Sequence, residues 1–200
     1  DAGFNDSAWS KVNLPHSWNH IGEYQTTRSA ASNNLQGVGY YRLTFDTPKN
    51  SAQKRSYLVF NAVGNIADVW VNGKYIGNHK GAFSRFQFDI TSALKSDGHN
   101  ILVVKADNTK PAPGSSTENI IPLSGDFFIN GGLYRMVHLI QVNPVHVDLE
   151  DYGGPGFYLS TPKIDDHSAT VHFVVKVRNT LSSENSEIVS VSIRDQKGNE

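Results

Sequence analysis

Short runs of alternating residues, each broken by turn residues, follow one another along most of this chain of 200 residues. From residue 67 to residue 72, small and branched apolar residues alternate with Asp68, Trp70 and Asn72. A period of two is typical of a β-strand that buries one of its faces. No segment keeps a helical period for more than about two turns, and glycine and proline interrupt those that begin one. The sequence therefore predicts an all-β sandwich.

Several strands and one tight turn can be placed from these runs. Alternating runs cover residues 40–45, 58–60 and 101–103, and the last of them ends near Asp107 and Asn108. The Asn72-Gly73 pair is the strongest hairpin signal, because a type I′ turn needs positive φ angles at both central residues. Residues 89–94 predict a single helical turn between two strands.

The segment of residues 1–36 is irregular, with Trp9, Val12, Leu14 and Trp18 spaced as apolar anchors. We assign Trp18 to packing against the core. The polar stretch 23–36 lacks any helical or strand period and predicts a long surface loop, which is unusual unless it is functional or mobile. Residues 109–122, which contain three prolines, predict a second irregular loop.

The character of the sequence changes after Asn143-Pro144. A short strand is predicted over residues 145–149, and alternating runs follow at residues 169–177 and 189–193. We interpret residues 1–144 as one domain and residues 145–200 as the opening of a second, truncated β-sandwich, because three or four strands are too few to close it. Residues 197–199 resemble a hairpin turn without a return strand. We therefore expect the chain to be a fragment of a longer protein.

Composition excludes several classes of function. Lys and Arg total 18 against 19 Asp and Glu, so the chain lacks the positive charge that nucleic acid or an anionic membrane would require. There are no cysteines, which excludes disulfides, thiolate metal sites and cysteine nucleophiles. No apolar run approaches the roughly 18 residues that span a bilayer. For the compartment, we favour a bacterial periplasmic or secreted location over a cytoplasmic one.

Motifs for catalysis or metal binding are weak. His16 and His20 have the spacing of two ligands on one helical face, but Pro15 argues against a helix, so structural histidines are the better interpretation. A sugar hydrolase needs two carboxylates at a fixed separation. Glu118 and Asp126 flank one loop, which gives no fixed separation. The chain therefore lacks its own catalytic machinery, and we assign it no cofactor.

The stretch 123–142 organises the rest of the chain. It begins with an acidic, aromatic loop that contains Asp126, Phe127 and Phe128. The pair Gly131-Gly132 follows, and glycines there permit backbone angles that other residues resist. Alternation from residue 133 to residue 140 then predicts a strand. Within it, we expect Arg135 to tie the loop to the sandwich through a carboxylate. Phe127 and Phe128 are candidates either for a sugar subsite or for packing under the loop.

Six short segments in order carry a resemblance to a known family: residues 12–18, 39–42, 69–73, 88–91, 103–108 and 131–135. Together they resemble the N-terminal sugar-binding domain of family-two glycoside hydrolases, which include β-galactosidases, β-glucuronidases and β-mannosidases. The resemblance covers residues 1 to about 145, and residues 146–200 look like the start of the immunoglobulin-like domain that follows. It implies a jelly-roll, then that β-sandwich, then a TIM barrel that holds two catalytic glutamates. Because the barrel is not in this sequence, the 200 residues alone are expected to be inactive.

Asp126 is the position on which the resemblance is most informative. In the galactosidase branch, an Asp before the Gly-Leu-Tyr-Arg motif reaches into the active site of the barrel and contacts the galactosyl hydroxyls, in some members together with a sodium ion. The resemblance therefore implies that Asp126 binds substrate and is a candidate sodium ligand, and it favours a β-galactoside over a glucuronide. A solvated or turn-capping aspartate is the plainer alternative.

Two other functions remain open from the sequence. An autonomous carbohydrate-binding module would need exposed aromatic side chains that form a platform. Trp70 is one candidate for such a platform, although a covered core aromatic is the more common role for such a residue. A purely structural interaction domain would make no contact with sugar even in the full-length protein.

Overall fold

The computed structural model describes residues 3–19, 35–47, 53–95, 98–120 and 130–199. Within these ranges the regular elements are nearly all strands: β1 (Val38–Asp46), β2 (Arg55–Phe60), β3 (Ile66–Val71), β4 (Lys74–Lys80), β5 (Phe86–Asp89), β6 (His99–Asp107), β7 (Val137–Val142), β8 (Val145–Val147), β9 (Phe157–Ile164), β10 (Ala169–Val175) and β11 (Val177–Asn179). A 3-10 helix, Thr91–Ala93, follows β5. The all-β fold predicted from the sequence is confirmed.

The first seven strands form two antiparallel sheets that share one core. The four-stranded sheet has the order β1-β6-β3-β4, and the three-stranded sheet has the order β5-β2-β7. Alternate residues point inward from the four-stranded sheet, where Val69, Leu102 and Val104 are buried. From the three-stranded sheet, Phe60 is 0% exposed and stacks on Phe86 with ring centroids 4.7 Å apart. Burial of these apolar side chains is the main stabilising contribution to the sandwich.

The hairpin predicted at Asn72-Gly73 joins β3 to β4. Asn72 has a φ of 53° and Gly73 a φ of 80°, as a type I′ turn requires. The Asn72 side chain also accepts a hydrogen bond from the backbone N–H of Ile101 at 2.9 Å and donates one to the carbonyl of Ala93 at 2.8 Å. One residue therefore shapes the turn and ties it to β6 and to the 3-10 helix, which occupies the predicted helical turn.

The strand predicted from residue 133 begins later than expected, at Val137. Leu133 is buried, but its carbonyl accepts a hydrogen bond from the backbone N–H of His16 at 2.8 Å rather than from a neighbouring strand. The N-terminal segment therefore occupies the backbone carbonyl that Leu133 would otherwise offer to a neighbouring strand. Alternation along the sequence cannot show such a partner, which lies more than 100 residues away in the chain.

The last four strands form two small sheets, in which β8 pairs with β11 and β9 pairs with β10. The strand predicted over residues 189–193 is wrong, because that segment has no regular structure and its apolar side chains are exposed, with Val189 at 53% and Ile193 at 57%. No strand of the described chain lies beside it to accept its backbone hydrogen bonds.

Among the described residues, no helix has the length and apolar character needed to cross a membrane.

Candidate functional site

The segment predicted to be a loop, with Asp126, Phe127 and Phe128, falls in residues 121–129, outside the described residues, so the predictions for these three residues remain predictions. The structure does describe the residues around the two ends of that segment. We call this set the loop base: Ser17, Trp18, Asn19, Leu35, Gly37, Gly64, Asp107, Asn108, Ser116, Asn130, Gly131 and Gly132. The loop base lies at one end of the sandwich, where β1 and β3 begin and β6 ends.

Trp18 packs in a slot whose walls are glycines. A Cβ atom added at Gly131 would lie 2.2 Å from the Trp18 ring, and one added at Gly39 would lie 2.6 Å from it. These distances are far below van der Waals contact, so only glycine fits at either position without movement of the ring. The indole Nε1 donates a hydrogen bond to the carbonyl of Leu35 at 3.1 Å. The packing role predicted for Trp18 agrees with this position, which joins three segments of the chain.

Asn19 fixes the chain at the end of the 121–129 segment. Its side-chain oxygen accepts a hydrogen bond from the backbone N–H of Gly131 at 2.7 Å, and its Nδ2 donates to the carbonyl of Leu35 at 3.1 Å. Asn19 is only 3% exposed. Hydrogen bonds of a buried amide are costly to break, because the separated groups would remain without water. Asn19 therefore holds Gly131, which follows the 121–129 segment, in one position.

Gly64 and Gly132 form an isolated antiparallel bridge next to Gly131. Gly64 donates to the carbonyl of Gly132 at 3.1 Å, and Gly132 donates in return at 3.4 Å. A Cβ atom added at Gly64 would lie 1.9 Å from the backbone oxygen of Asn130, so two backbone segments approach too closely for any side chain. Ser17 adds a hydrogen bond from its hydroxyl to the side-chain oxygen of Asn130 at 3.1 Å.

The end of β6 fixes the irregular segment that leads toward residues 121–129. The Asp107 carboxylate accepts hydrogen bonds from the backbone N–H of Thr109 at 2.9 Å and from the Ser116 hydroxyl at 2.8 Å. Asn108 accepts a hydrogen bond from the backbone N–H of Gly37 at 2.8 Å. Burial alone would raise the pKa of Asp107, but the bonds from Thr109 and Ser116 and the charge of Lys105 outweigh it and lower the pKa below its ordinary value of 3.8.

The lowered pKa of Asp107 gives a prediction for stability against pH. In the unfolded chain the carboxyl titrates near 3.8, so the ionised Asp107 contributes its full stabilisation above that pH. This contribution is lost as the pH falls through the lower pKa of the folded state. We expect the free energy of unfolding to fall less steeply in Asp107→Asn than in the wild type between about pH 5 and about pH 2. Urea denaturation at a series of pH values measures both slopes, and parallel slopes would contradict the prediction.

His16 has the structural role expected for it. Its Nδ1 is 2.8 Å from the hydroxyl of Tyr41, whose pKa burial raises. The same hydroxyl accepts a long hydrogen bond of 3.4 Å from the backbone N–H of Leu133. His20 lies outside the described residues. In the part of the chain that the structure describes, no three histidine, aspartate or glutamate side chains come together in an arrangement that could hold a metal ion.

The structure bears on two expectations for single residues. Arg135 is exposed and lies 5.5 Å from the centroid of the Tyr134 ring, and the described ranges supply no carboxylate partner for it. The predicted ion pair is therefore not formed with any carboxylate of the described residues. Trp70 is not a covered core residue, since it is half-buried on the outer surface of the four-stranded sheet beside Tyr75.

Sequence reasoning did not identify the buried amides of the loop base. Asn19 and Asn108 lie next to predicted loops, where asparagine is common for turn formation, and nothing in the pattern distinguished them from exposed residues. The sequence feature that could have indicated a structural role for Asn108 was its position directly after a predicted strand. As a whole, the described loop base offers hydrogen-bonded anchors rather than reactive groups, because its carboxylate, Asp107, is already satisfied.

Comparison with known proteins supports the resemblance to family-two glycoside hydrolases. The family model described as "Glycosyl hydrolases family 2, sugar binding domain" matches residues 7–144. A β-glucuronidase from Bacteroides fragilis is 33% identical over 178 residues, which are 89% of this chain and 24% of that protein. A β-galactosidase from Bacteroides ovatus is 29% identical over 201 residues, which are 99% of this chain and 22% of that protein.

Solved structures show the same relationship. The β-glucuronidase 2 of Bacteroides uniformis, covalently bound to cyclophellitol-6-carboxylate aziridine, superposes with a TM-score of 0.77 at 33% identity. The match covers 90% of this chain and 20% of that one. The chain thus spans between a fifth and a quarter of the length of these relatives. The described β-sandwich, the six motifs and the family match agree: the chain belongs to family 2 of the glycosyl hydrolases, and residues 7–144 are its sugar-binding domain.

Proposed function

We propose that this chain is the non-catalytic N-terminal part of a retaining β-glycosidase of the β-galactosidase type. In this proposal the sandwich braces a catalytic TIM barrel, and the 121–129 segment carries Asp126 into the sugar subsite of that barrel. The observation that carries the proposal is the double anchoring of that segment. Asn19 and Gly64 hold its outgoing end, while Asp107 holds the loop that leads into it. A firmly held base lets a loop present one side chain in a defined position.

The proposed role of Asp126 is to bind hydroxyl groups. A carboxylate can accept hydrogen bonds from two neighbouring sugar hydroxyls, and each charge-assisted bond contributes about 1.5–3 kcal/mol. The bonds fix the orientation of the ring relative to the catalytic groups, which reduces the entropy that the reaction must otherwise lose. A sodium ion enters the proposal only through Asp126, because the described ranges contain no cluster of metal ligands. No step of the proposed role depends on that ion.

The two carboxylates that such hydrolysis requires are assigned to the barrel. We therefore expect the 200 residues by themselves to show no glycoside hydrolysis. The relatives named above include both a β-glucuronidase and a β-galactosidase, so they support a β-glycoside substrate and leave the sugar to be tested. The proposed preference for a β-galactoside rests on Asp126.

The test is the Asp126→Ala variant of the intact protein that contains this chain. We expect kcat/KM for a chromogenic β-galactoside to fall about tenfold to a hundredfold, which corresponds to the loss of one charge-assisted hydrogen bond. For Asp126→Asn we expect a smaller decrease in kcat/KM, because the amide oxygen of asparagine still accepts a hydrogen bond. Kinetics with the matching β-glucuronide, measured in parallel, show which sugar depends on Asp126.

Asp166→Ala is the matched control. Asp166 is exposed in the turn between β9 and β10, so the same change of charge there should leave kcat/KM within about twofold. If Asp126→Ala retains wild-type kinetics with both sugars, the proposed contact with substrate is wrong, and a purely structural role for the domain becomes the better interpretation.

A further inference from the structure

The outer surface of the four-stranded sheet carries a group of aromatic side chains that the loop base does not involve. We use the name outer face for seven of the side chains that the strand register places on this surface: Tyr40, Arg42, Asp68, Trp70, Tyr75, Val103 and Lys105. The alternate residues of the same strands, such as Val69 and Val104, are buried in the core. Phe4 and Trp9 of the N-terminal segment lie beside Tyr40 of β1 and Val103 of β6.

Trp70 and Tyr75 form one end of the outer face. Their ring centroids are 5.5 Å apart, and Tyr75 is 52% exposed. The Tyr75 hydroxyl donates a hydrogen bond to Asp68 at 3.1 Å, and the Asn78 side chain donates to the same carboxylate oxygen at 2.8 Å. The hydroxyl bond to Asp68 therefore holds the Tyr75 ring in place while part of the apolar surface of that ring meets solvent.

Phe4, Trp9 and Tyr40 form the other end. Together with Arg42 and Val103 they line a depression of about 370 Å³. Phe4 and Trp9 meet edge to face with centroids 5.4 Å apart. A second depression of about 250 Å³ shares Trp9, Tyr40 and Arg42 with the first, so concave surface continues along the N-terminal segment.

The charged side chains of the outer face each have an oppositely charged partner. Arg42 bonds to Asp6 at 2.5 Å, and Lys105 lies 3.5 Å from Asp68. With cations and carboxylates in balance, this surface offers no net attraction to an anionic polymer or membrane. It does offer apolar rings bordered by hydrogen-bonding groups. That combination suits a neutral ligand with apolar faces and polar edges, which is the chemistry of a pyranose ring.

We propose that the outer face binds a neutral, β-linked oligosaccharide chain, with sugar rings stacked on Trp70 and in the depression beside Trp9. The distance from β1 to β4 crosses three strand spacings, or about 14 Å, which is long enough for more than one ring. Trp70 pairs with Val103, four residues from the end of β6, so the platform lies about 13 Å along the strand from the loop base. The Trp70 end of the site therefore lies apart from the loop base, whereas the second depression beside Trp9 extends to Trp18.

Affinity electrophoresis of the intact protein tests this proposal. The probes are hydroxyethylcellulose and β-1,4-galactan in the gel, with galactose present to occupy the subsite proposed for Asp126. We expect both Trp9→Ala and Trp70→Ala to bind one or both polymers about three- to tenfold more weakly than the wild type, on the scale of a lost aromatic contact. Their kcat/KM for a small chromogenic β-galactoside should be unchanged.

Three further variants make the result decisive. Tyr75→Ala changes an exposed side chain on an edge strand, so it should fold normally and still weaken retention. Phe83→Ala removes an aromatic side chain that is 59% exposed and lies off the outer face, and its retention should equal that of the wild type. Asp126→Ala should also be retained normally, which separates this site from the proposed function. The proposal is overturned if the wild type is retained by neither polymer, or if the Trp9, Trp70 and Tyr75 variants are retained as well as the wild type.

Discussion

Gly64→Ala is expected to destabilise the protein and to displace the end of the 121–129 segment. The new methyl group would lie 1.9 Å from the backbone oxygen of Asn130, and a backbone atom cannot rotate away as a side chain can. The bridge to Gly132 must open, at a cost near the upper end of the about 1–3 kcal/mol that overpacking usually brings. Urea denaturation of the variant measures that cost.

The same substitution carries a kinetic expectation that rests on the proposed role of Asp126. A shift of about 1 Å in a positioning group can reduce a rate about a hundredfold, so kcat/KM of the intact Gly64→Ala enzyme should fall by about that factor. Gly77→Ala is the control, since its methyl group would crowd the Phe88 ring at 2.5 Å in the body of the sandwich, away from the loop base. Gly77→Ala should lower stability with little change in kcat/KM. Equal kinetic losses in both variants would contradict the link between the bridge and the active site.

Phe60→Ala should show the largest loss of stability of any variant considered. The ring is 0% exposed, stacks on Phe86 and meets Phe88 edge to face at 6.5 Å. Removing it leaves a cavity between the two sheets and eliminates the aromatic contacts, at a cost of about 3–5 kcal/mol. Chemical denaturation followed by circular dichroism measures this change.

Phe83→Ala makes the same chemical change on the surface. Phe83 is 59% exposed, and we expect its removal to alter the free energy of unfolding by less than about 0.5 kcal/mol. If the two phenylalanine variants were equally stable, the described core would not be the main source of stability.

The sandwich was predictable wherever local pattern and tertiary environment agree. Val69 and Val71 are buried and alternate with the less buried Asp68 and Trp70, because one face of β3 packs against the core, and the period of two reflects that burial. Asn72-Gly73 was predictable because the backbone angles of its turn exclude most other residues. In both cases the information lies within a few residues of sequence.

The two wrong strand predictions have the opposite cause, because they depend on residues far away in the sequence. Leu133 is apolar and alternates correctly, yet its carbonyl bonds to His16 rather than to a strand. Val189 alternates equally well, but no strand of the described chain is available to pair with its segment. Alternation shows that a segment can form a strand, and only the position of its neighbours decides whether it does.

The loop base was the least predictable part of the site for a similar reason. Asn19 and Gly131 are separated by more than 100 residues, and their hydrogen bond exists only because the fold brings two irregular segments together. The acidic, aromatic residues before Gly131-Gly132 marked the neighbouring loop in the sequence, but only the resemblance to a family gave Asp126 a role. The family is confirmed by the match over residues 7–144, while the role of Asp126 remains a proposal.

The positions of the tryptophans make the two proposed surfaces optically distinguishable. The chain contains three: Trp18 in its glycine slot at the loop base, and Trp9 and Trp70 on or beside the outer face. Indole emission depends on the polarity around the ring, so a variant that keeps a single tryptophan turns intrinsic fluorescence into a site-specific signal. A ligand that perturbs the emission of Trp70 and leaves that of Trp18 constant would be located without a label, a crystal or an assay of turnover.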